Sequence, residues 1–340
     1  MSFKRFDTED IVVSAESVTA PVWTGDVSTL TRFFTSSVQI GGTSADYYYD
    51  IYHTASTLDE ARVQFSIAYA DAKGSGSLLY NPNVTGKSPS STVYGQYRNL
   101  VLGDEEGNFN FGSISSEYFY ALAVDRARYK EKLLPGSFTL KLHVSASGAE
   151  VKLTDNSRIT TTTTFNDAGR VYDIVSGSAG VVYSGSQANG YTVGSGSYGK
   201  FLPDIGVILI NGKALDGNVS DGGLALGIGR NSNSADLNIQ KFYNLLTLSG
   251  SFNLQCEETI TSNFVFVRAR NSEFNYSTNP SLTTGSGELR HNVMVDSPQS
   301  YITAVGLYND NNDLLGVAKL SRPLLKDFTK ESLVRIKLDY

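Results

Sequence analysis

Thiol and imidazole chemistry is almost missing from this chain. Its 340 residues hold one cysteine, Cys256, so neither a disulfide framework nor a thiolate metal cluster can form within it. The histidines, His53, His143 and His291, are far apart and lack a neighbouring Ser or Cys motif that would mark a triad. Charged residues are also scarce, at 18 % against the roughly 25 % usual for soluble domains. Lys plus Arg is 28 and Asp plus Glu is 34, a net charge of −6. That balance removes the basic face that nucleic-acid binding requires. No stretch approaches the run of about 18 apolar residues that a membrane-spanning helix needs. The opening residues, MSFKRFDTEDIVV, place charges where a secretory signal would need an apolar core, so synthesis in a reducing cytoplasm is expected.

Glycine, Tyr and Phe are plentiful instead, at 32, 20 and 17 residues. Turn formers combined with aromatic and β-branched residues favour strands over helices. A mainly β fold is expected, with two β-sandwich or barrel-like domains, an extended N-terminal arm and one or two short helices. The expected divisions are residues 1–55 for the arm, 56–145 for a first β-rich domain, 146–255 for a Gly-rich β domain or insertion, and 256–340 for a β-rich segment completing the body. The arm is inferred because Val12, Val13, Val18, Val22 and Trp23 alternate only loosely and Pro21 interrupts them. Such a stretch is too apolar for a solvated tail. No fixed-period repeat points to a propeller or solenoid.

Period two predicts strands at Val63, Phe65, Ile67 and Tyr69 and again at Phe138, Leu140, Leu142 and Val144. YFYALAV at 118–124 predicts another, with a helix over 117–134 as its alternative. Residues 73–97, KGSGSLLYNPNVTGKSPSSTVYGQY, predict a long loop. Asn211-Gly212, set between VILI and KAL, predicts a hairpin with a type I′ turn. Further on, FVFVRAR at 264–270 predicts a strand, and residues 301–321 a hairpin with the Asn/Asp tip 309–313. LLKDFTKESLV at 324–334 predicts a short helix with Thr329 as its cap, and RIKLDY a final strand.

Motifs with possible chemistry read most simply as structure. Residues 194–199, GSGSYG, match the dinucleotide pattern, but Pro203 would break the helix that pattern needs, which leaves a flexible glycine turn. Asp216, Asn218 and Ser220 resemble the start of a calcium loop. Its sixth position should be Gly and is Asp221, and its twelfth should be Glu and is Gly227. Glu105 with Glu106, and Glu257 with Glu258, are adjacent and would face opposite sides of a strand. Cys256 reads as a small semi-buried strand residue. The cations Lys319, Arg322, Lys326, Lys330, Arg335 and Lys337, mixed with Asp327, Glu331 and Asp339, read as a solvated face or as a docking surface for an acidic neighbour. No catalytic, cofactor-binding or metal-binding residue is assigned, and no enzymatic activity is expected.

Several unbroken strings carry a resemblance. They are SPSSTVYGQYRNLVLGDE at 88–105, RARYKEKLLPGSFTLKL at 126–142, GRVYDIVSGS at 169–178, SYGKFLPDIGVILING at 197–212, EETITSNFVFVRARNSEFNYSTNP at 257–280, and the stretch from ITAVGLYNDNNDLLG to the final RIKLDY at 302–340. Together they resemble virion structural proteins, of baseplate type, from contractile-tailed bacteriophages, notably the myoviruses of cyanobacteria. The likeness covers nearly the whole chain. It implies a non-enzymatic particle subunit, assembled in the bacterial cytoplasm, whose partners are other virion proteins and copies of itself. Neck, tail-completion and capsid-decoration positions are the alternatives. A host-binding or polysaccharide-degrading tail protein is the second.

A subunit of this kind assembles through arms and aromatic surface groups. The candidate interface residues are Phe3, Phe6, Trp23, Phe33, Phe34, Tyr47, Tyr48 and Tyr49 in the arm, followed by Arg270, Phe274 and Tyr276, where aromatics sit beside Arg. Packing within the chain's own core is the alternative for each. An arm that only locks neighbours would be dispensable for folding, so removing residues 1–30 would leave a folded monomer.

Overall fold

Strand pairing organises this chain, as the density of Tyr, Phe, Val, Ile and Thr runs dictates. The computed structural model describes residues 4–26, 29–31, 35–40, 46–76, 83, 88–112, 114–183, 198–230, 235–247, 249–277 and 280–339. The chain is mainly β, with antiparallel sheets that curl. The strands of the first third are β1 (Ile11–Pro21), β2 (Thr29–Thr31), β3 (Thr35–Ile40), β4 (Asp46–Tyr52) and β5 (Val63–Asp71). After helix α1 (Pro89–Leu102) come β6 (Phe109–Phe111), β7 (Ile114–Ser116), β8 (Tyr118–Val124), β9 (Lys132–Leu133), β10 (Thr139–His143), β11 (Glu150–Asp155), β12 (Thr164–Asn166), β13 (Gly169–Ser178) and β14 (Val181–Val182). Then follow β15 (Gly199–Leu202), β16 (Val207–Asn211), α2 (Gly212–Asp216), α3 (Ala235–Thr247), β17 (Ser251–Asn253) and β18 (Gln255–Ala269). The last elements are α4 (Val293–Asp296), β19 (Ser300–Tyr308), β20 (Leu314–Lys326) and β21 (Ser332–Asp339). The chain divides into two units, Val18–Glu258 and Met1–Ser17 with Thr259–Tyr340. Residues 1–55 are therefore shared between units and supply four strands, in place of a free arm.

Within the Val18–Glu258 unit, one sheet runs in the order β2-β17-β10-β11-β13-β15-β16-β8-β5-β4-β3. Within it β8 is nearly all buried. A strand covered on both faces has no reason to alternate, which is why YFYALAV reads as a continuous apolar run. On one face Tyr120 and Leu122 lie beside Tyr69 and Ile67 of β5 and Ile210 and Ile208 of β16. That face is covered by α3 through Ile239, Phe242 and Leu246, at the i, i+3, i+7 spacing of one helical side. On the other face Phe119, Ala121 and Leu209 pack with Phe109, Phe111 and the α1 residues Tyr94 and Val101.

The sheet curls until remote strands meet. Phe252 of β17 and Phe65 of β5 lie near opposite ends of the path, yet their ring centroids are 5.2 Å apart. Trp23 fills the joint, 4.9 Å from Phe252 and 5.7 Å from Phe65, and its indole N–H donates to the Phe252 carbonyl at 2.9 Å. Phe138, immediately before β10, adds a further edge contact to Phe252 at 5.9 Å. Aromatic edge-to-face pairs add to the area these rings bury.

Three local expectations are corrected. The stretch 73–97 is not all loop, because α1 begins inside it. Ser88 precedes Pro89 at the first helical position, and Gly103 closes the helix at φ +64 with its N–H on the Asn99 carbonyl. Asn211-Gly212 is not a hairpin turn: Asn211 accepts the Lys213 N–H at 3.0 Å and caps α2. Gly212 is needed there for space, since a Cβ would lie 2.5 Å from the Tyr118 ring. Residues 324–334 form strand, turn and strand in place of a helix. Asp327 accepts from the Thr329 N–H and hydroxyl, so Thr329 is a turn residue and not a helix cap. Helix α3 was not anticipated at all.

The Met1–Ser17 and Thr259–Tyr340 unit contains the hairpin β19-β20 and most of the sheet β1-β18-β21, whose strands β1 and β18 continue into the Val18–Glu258 unit, where β9 also pairs with β18. The hairpin forms where expected, with Asn309 accepting from the Asn311 and Asp313 N–H groups at its tip. Pro323 sits where the β19-β20 register slips between Ile302 and Ala304, as suits a residue without an N–H. Its core is small: Val265, Val334 and Ile336 with Leu307, flanked by partly buried neighbours.

Trp23 is the chain's only tryptophan and is 2 % exposed. Its emission is expected to be blue-shifted and shielded from acrylamide, and Trp23→Ala should cost about 3–5 kcal/mol in denaturant unfolding. Removal of residues 1–30 should accordingly unfold the Val18–Glu258 unit, contrary to the expectation for a free arm. A red, readily quenched emission would contradict this placement.

Candidate interaction surfaces

Polar chemistry in the Val18–Glu258 unit gathers around Arg230. The end of β5 delivers Asp71, fully buried, and the turn into β8 delivers Glu117. The Arg230 guanidinium donates to Asp71 through Nε at 2.8 Å and to Glu117 through Nη2 at 2.9 Å, and it lies 4.6 Å over the Tyr118 ring. The second Asp71 oxygen accepts the Lys73 and Ser75 N–H groups. Hydrogen bonding from Arg230, the largest influence, holds the Glu117 carboxyl below its ordinary range. Burial pushes the nearby Tyr69 hydroxyl far upward, and that oxygen has no hydrogen-bond partner. With Asp71 and Glu117 both engaged by Arg230, the group works as a clamp. It ties the 73–75 turn, which accepts Ser88 and Ser90 hydroxyls from the start of α1, to the 229–230 segment.

The sequence motifs do not assemble into a ligand site. Gly199 opens β15, so a strand stands where the dinucleotide pattern needs a helix, and residues 194–197 lie outside the described residues. Asp216, the last residue of α2, accepts the Ile228 N–H at 3.0 Å, so it ties the end of that helix to a later backbone segment. Among the described residues no group of three or more His, Cys, Asp or Glu side chains could hold a metal ion. No helix among them is long and apolar enough to cross a membrane.

The other unit also carries exposed apolar side chains along its strands, as the Val18–Glu258 unit does at Phe165 of β12 and Val181 of β14. On the hairpin, Tyr301, Leu315 and Val317 are 62 %, 71 % and 62 % exposed. Val295 of α4 and Leu333 of β21 are exposed as well. On β1, Ile11, Val12 and Val13 face solvent, as does Val18 where the strand continues into the Val18–Glu258 unit. Single exposed apolar residues are ordinary, but runs of them along one strand mark surfaces that other molecules cover. No family model, curated protein or solved structure matches this chain.

The loop after β18 is built to present side chains. Lys326, fully buried, donates to the Asn271 carbonyl at 3.1 Å, to Asn275 Oδ1 at 2.7 Å and to the Asp327 carbonyl at 2.7 Å. The charge expected on a solvated face is thus spent inside. Glu273 accepts the Arg270 N–H and pairs with Lys4 at 3.1 Å, and the backbone bond from Arg270 is the chief reason its carboxyl is held low. Phe274 adopts φ +55, and its carbonyl accepts the Ser300 hydroxyl.

Several candidate residues change role in this setting. Arg270 is exposed, Tyr276 is 67 % exposed and Phe274 is half-buried, so this loop offers contact groups. Phe6 is partly exposed. Trp23 belongs to the core, and Tyr49 is buried with its ring 5.8 Å from Tyr243 of α3, while Tyr48 is half-buried. Phe3, Phe33 and Phe34 lie outside the described residues, as does the Tyr47 side chain. Sequence reasoning passed over Tyr301, Leu315 and Val317. The usable signal was apolar residues at both parities of one hairpin, more than a single covered face can absorb.

Two outcomes follow. Lys326→Met leaves three oxygens without their donor and should lower stability by ~2–4 kcal/mol in denaturant unfolding, with faster hydrogen exchange in residues 270–277. Unchanged exchange there would sink the cross-link. Glu117, with its folded value lowered, contributes stability above the unfolded carboxylate range, and that contribution is lost as pH falls through the lowered value. The melting-temperature gap between wild type and Glu117→Gln should therefore be present at neutral pH and close below about pH 4. A gap that persists in acid would contradict the clamp.

Proposed function

We propose that this chain is a non-enzymatic structural subunit of a contractile phage tail, of the baseplate, wedge-type class. The observation that carries the reading is the uncovered apolar surface on β1, β19 and β20, in a unit whose own core is small. A subunit that works by lodging among neighbours needs such surfaces, and burying them on assembly supplies the driving force. The resemblance drawn from strings such as 302–340 points to the same class. In this reading the Val18–Glu258 unit is a rigid spacer, and the strands of the other unit with the 270–276 loop make the contacts. The partners are other tail proteins and further copies of the chain.

Immunogold labelling of intact particles with an antibody to this chain tests the position. Gold at the distal tail end is expected. Gold at the neck or head would keep the structural role and overturn the baseplate assignment. Absence of the chain from purified, disrupted particles would overturn the structural role itself.

A further inference from the structure

The two ends of the β1-β18-β21 sheet are finished differently. At one end, β21 carries Arg335 and Lys337, whose cationic groups lie 5.4 Å and 6.0 Å from the centre of the Phe264 ring. Charged side chains along an edge discourage pairing with another chain. At the other end, β1 is eleven residues long, IVVSAESVTAP, and is exposed from Ile11 through Ala20. It pairs only with β18 among the described residues, which leaves its second edge open. It has no Lys or Arg, its single charge is Glu16, and its only proline stands at the far end. Val12 is 47 % exposed and Val13 is 64 % exposed, on opposite faces of the strand.

We propose that β1 is a self-association edge, which pairs antiparallel with β1 of a second copy about a two-fold axis at Ala15. The sequence is self-complementary about that residue. Val12 then opposes Val18 of the second copy, Ile11 opposes Thr19, and Ala15 opposes itself. Glu16 meets Ser14, a hydroxyl donor, and not a second Glu16, so the pairing places no like charges opposite each other. A two-fold contact uses the same patch on both subunits and therefore closes at two copies. The result is a continuous sheet in the order β21-β18-β1-β1-β18-β21, with β9 also paired to each β18 and the cationic β21 strands at the two ends of that order. Nine residue pairs span about 30 Å. They supply on the order of 10 backbone hydrogen bonds, the number typical of a stable interface. The area is at the low end for specific interfaces, so association should be micromolar in strength. The inference rests on the strand edge alone, and purified protein tests it without reference to the virion reading.

The full chain is suited to a cross-linking test, because its one cysteine, Cys256, is buried. Directly opposed antiparallel residues have Cα atoms roughly 4.5–5.5 Å apart, within disulfide range. Ala15→Cys should give a covalent dimer on mild oxidation, reversed by reductant, whereas Thr19→Cys alone should not. Sedimentation equilibrium of the wild type at tens of micromolar should show a monomer–dimer equilibrium. Val12→Lys with Val18→Lys opposes like charges across the axis and should raise the dissociation constant at least ~10-fold with the melting temperature unchanged. Val12→Lys with Val18→Glu should restore the dimer. A wild type that stays monomeric throughout, or Thr19→Cys that cross-links while Ala15→Cys does not, would overturn the proposal.

Discussion

The indole of Trp23 sits where the curled sheet of the Val18–Glu258 unit closes, between Phe252 near one end of the strand order and Phe65 near the other. Strands that twist bring such ends together only if something fills the joint. Here the filling is a single large side chain whose one polar atom is satisfied by the Phe252 carbonyl. With the joint filled, the concave side becomes one continuous core and α3 covers it. The convex side is closed separately by α1 and the Phe109–Phe111 hairpin arm. The Phe and Tyr residues of β5, β8 and β15, with Phe138 just before β10, are consumed in this way.

The contrast with the remaining residues gives the functional argument its basis. A unit made of two thin β layers has little interior, and its buried cluster amounts to Val265, Leu307, Val334 and Ile336. Local polar devices hold the rest: the Lys326 ammonium with three oxygens, Glu273 with Lys4, and Asp327 with Thr329. Small units leave a large share of their apolar surface outside. In this unit part of the exposed apolar surface lies on strands, at Tyr301, Leu315 and Val317, and part on α4 and the 270–276 loop, at Val295 and Tyr276. The two units differ in how large a buried core each assembles.

Much of the β structure was legible. Period-two patterns marked β5 and β10, unbroken apolar character marked β8, and the Asn/Asp tip marked the β19-β20 hairpin. Helices were less legible for particular reasons. The α1 segment is rich in Ser, Thr and Gly, and only Tyr94 and Val101 of its apolar residues are fully buried, so the Ser88-Pro89 start was a better signal than its periodicity. Asn211-Gly212 suits both a type I′ turn and a capped helix start, and the Tyr118 ring decides between them. That neighbour comes from β8 and cannot be read locally. The same limit applied to contact residues. Trp23 and Tyr49 are large and aromatic, as both core and interface residues are, and only tertiary packing separates the two. Val317 and Leu315 are ordinary residues in sequence, and their significance lies in having no second layer above them.

Side-chain footprinting with hydroxyl radicals, on the purified chain and on the chain within intact particles, tests the division of labour most directly. The account predicts that Tyr301, Leu315, Val317 and the β1 valines react freely in the purified chain and become protected in the particle. Buried residues such as Phe65 and Phe242 should stay unreactive in both. Equal reactivity of the exposed strand residues in both states, with new protection confined to Val18–Glu258, would contradict it.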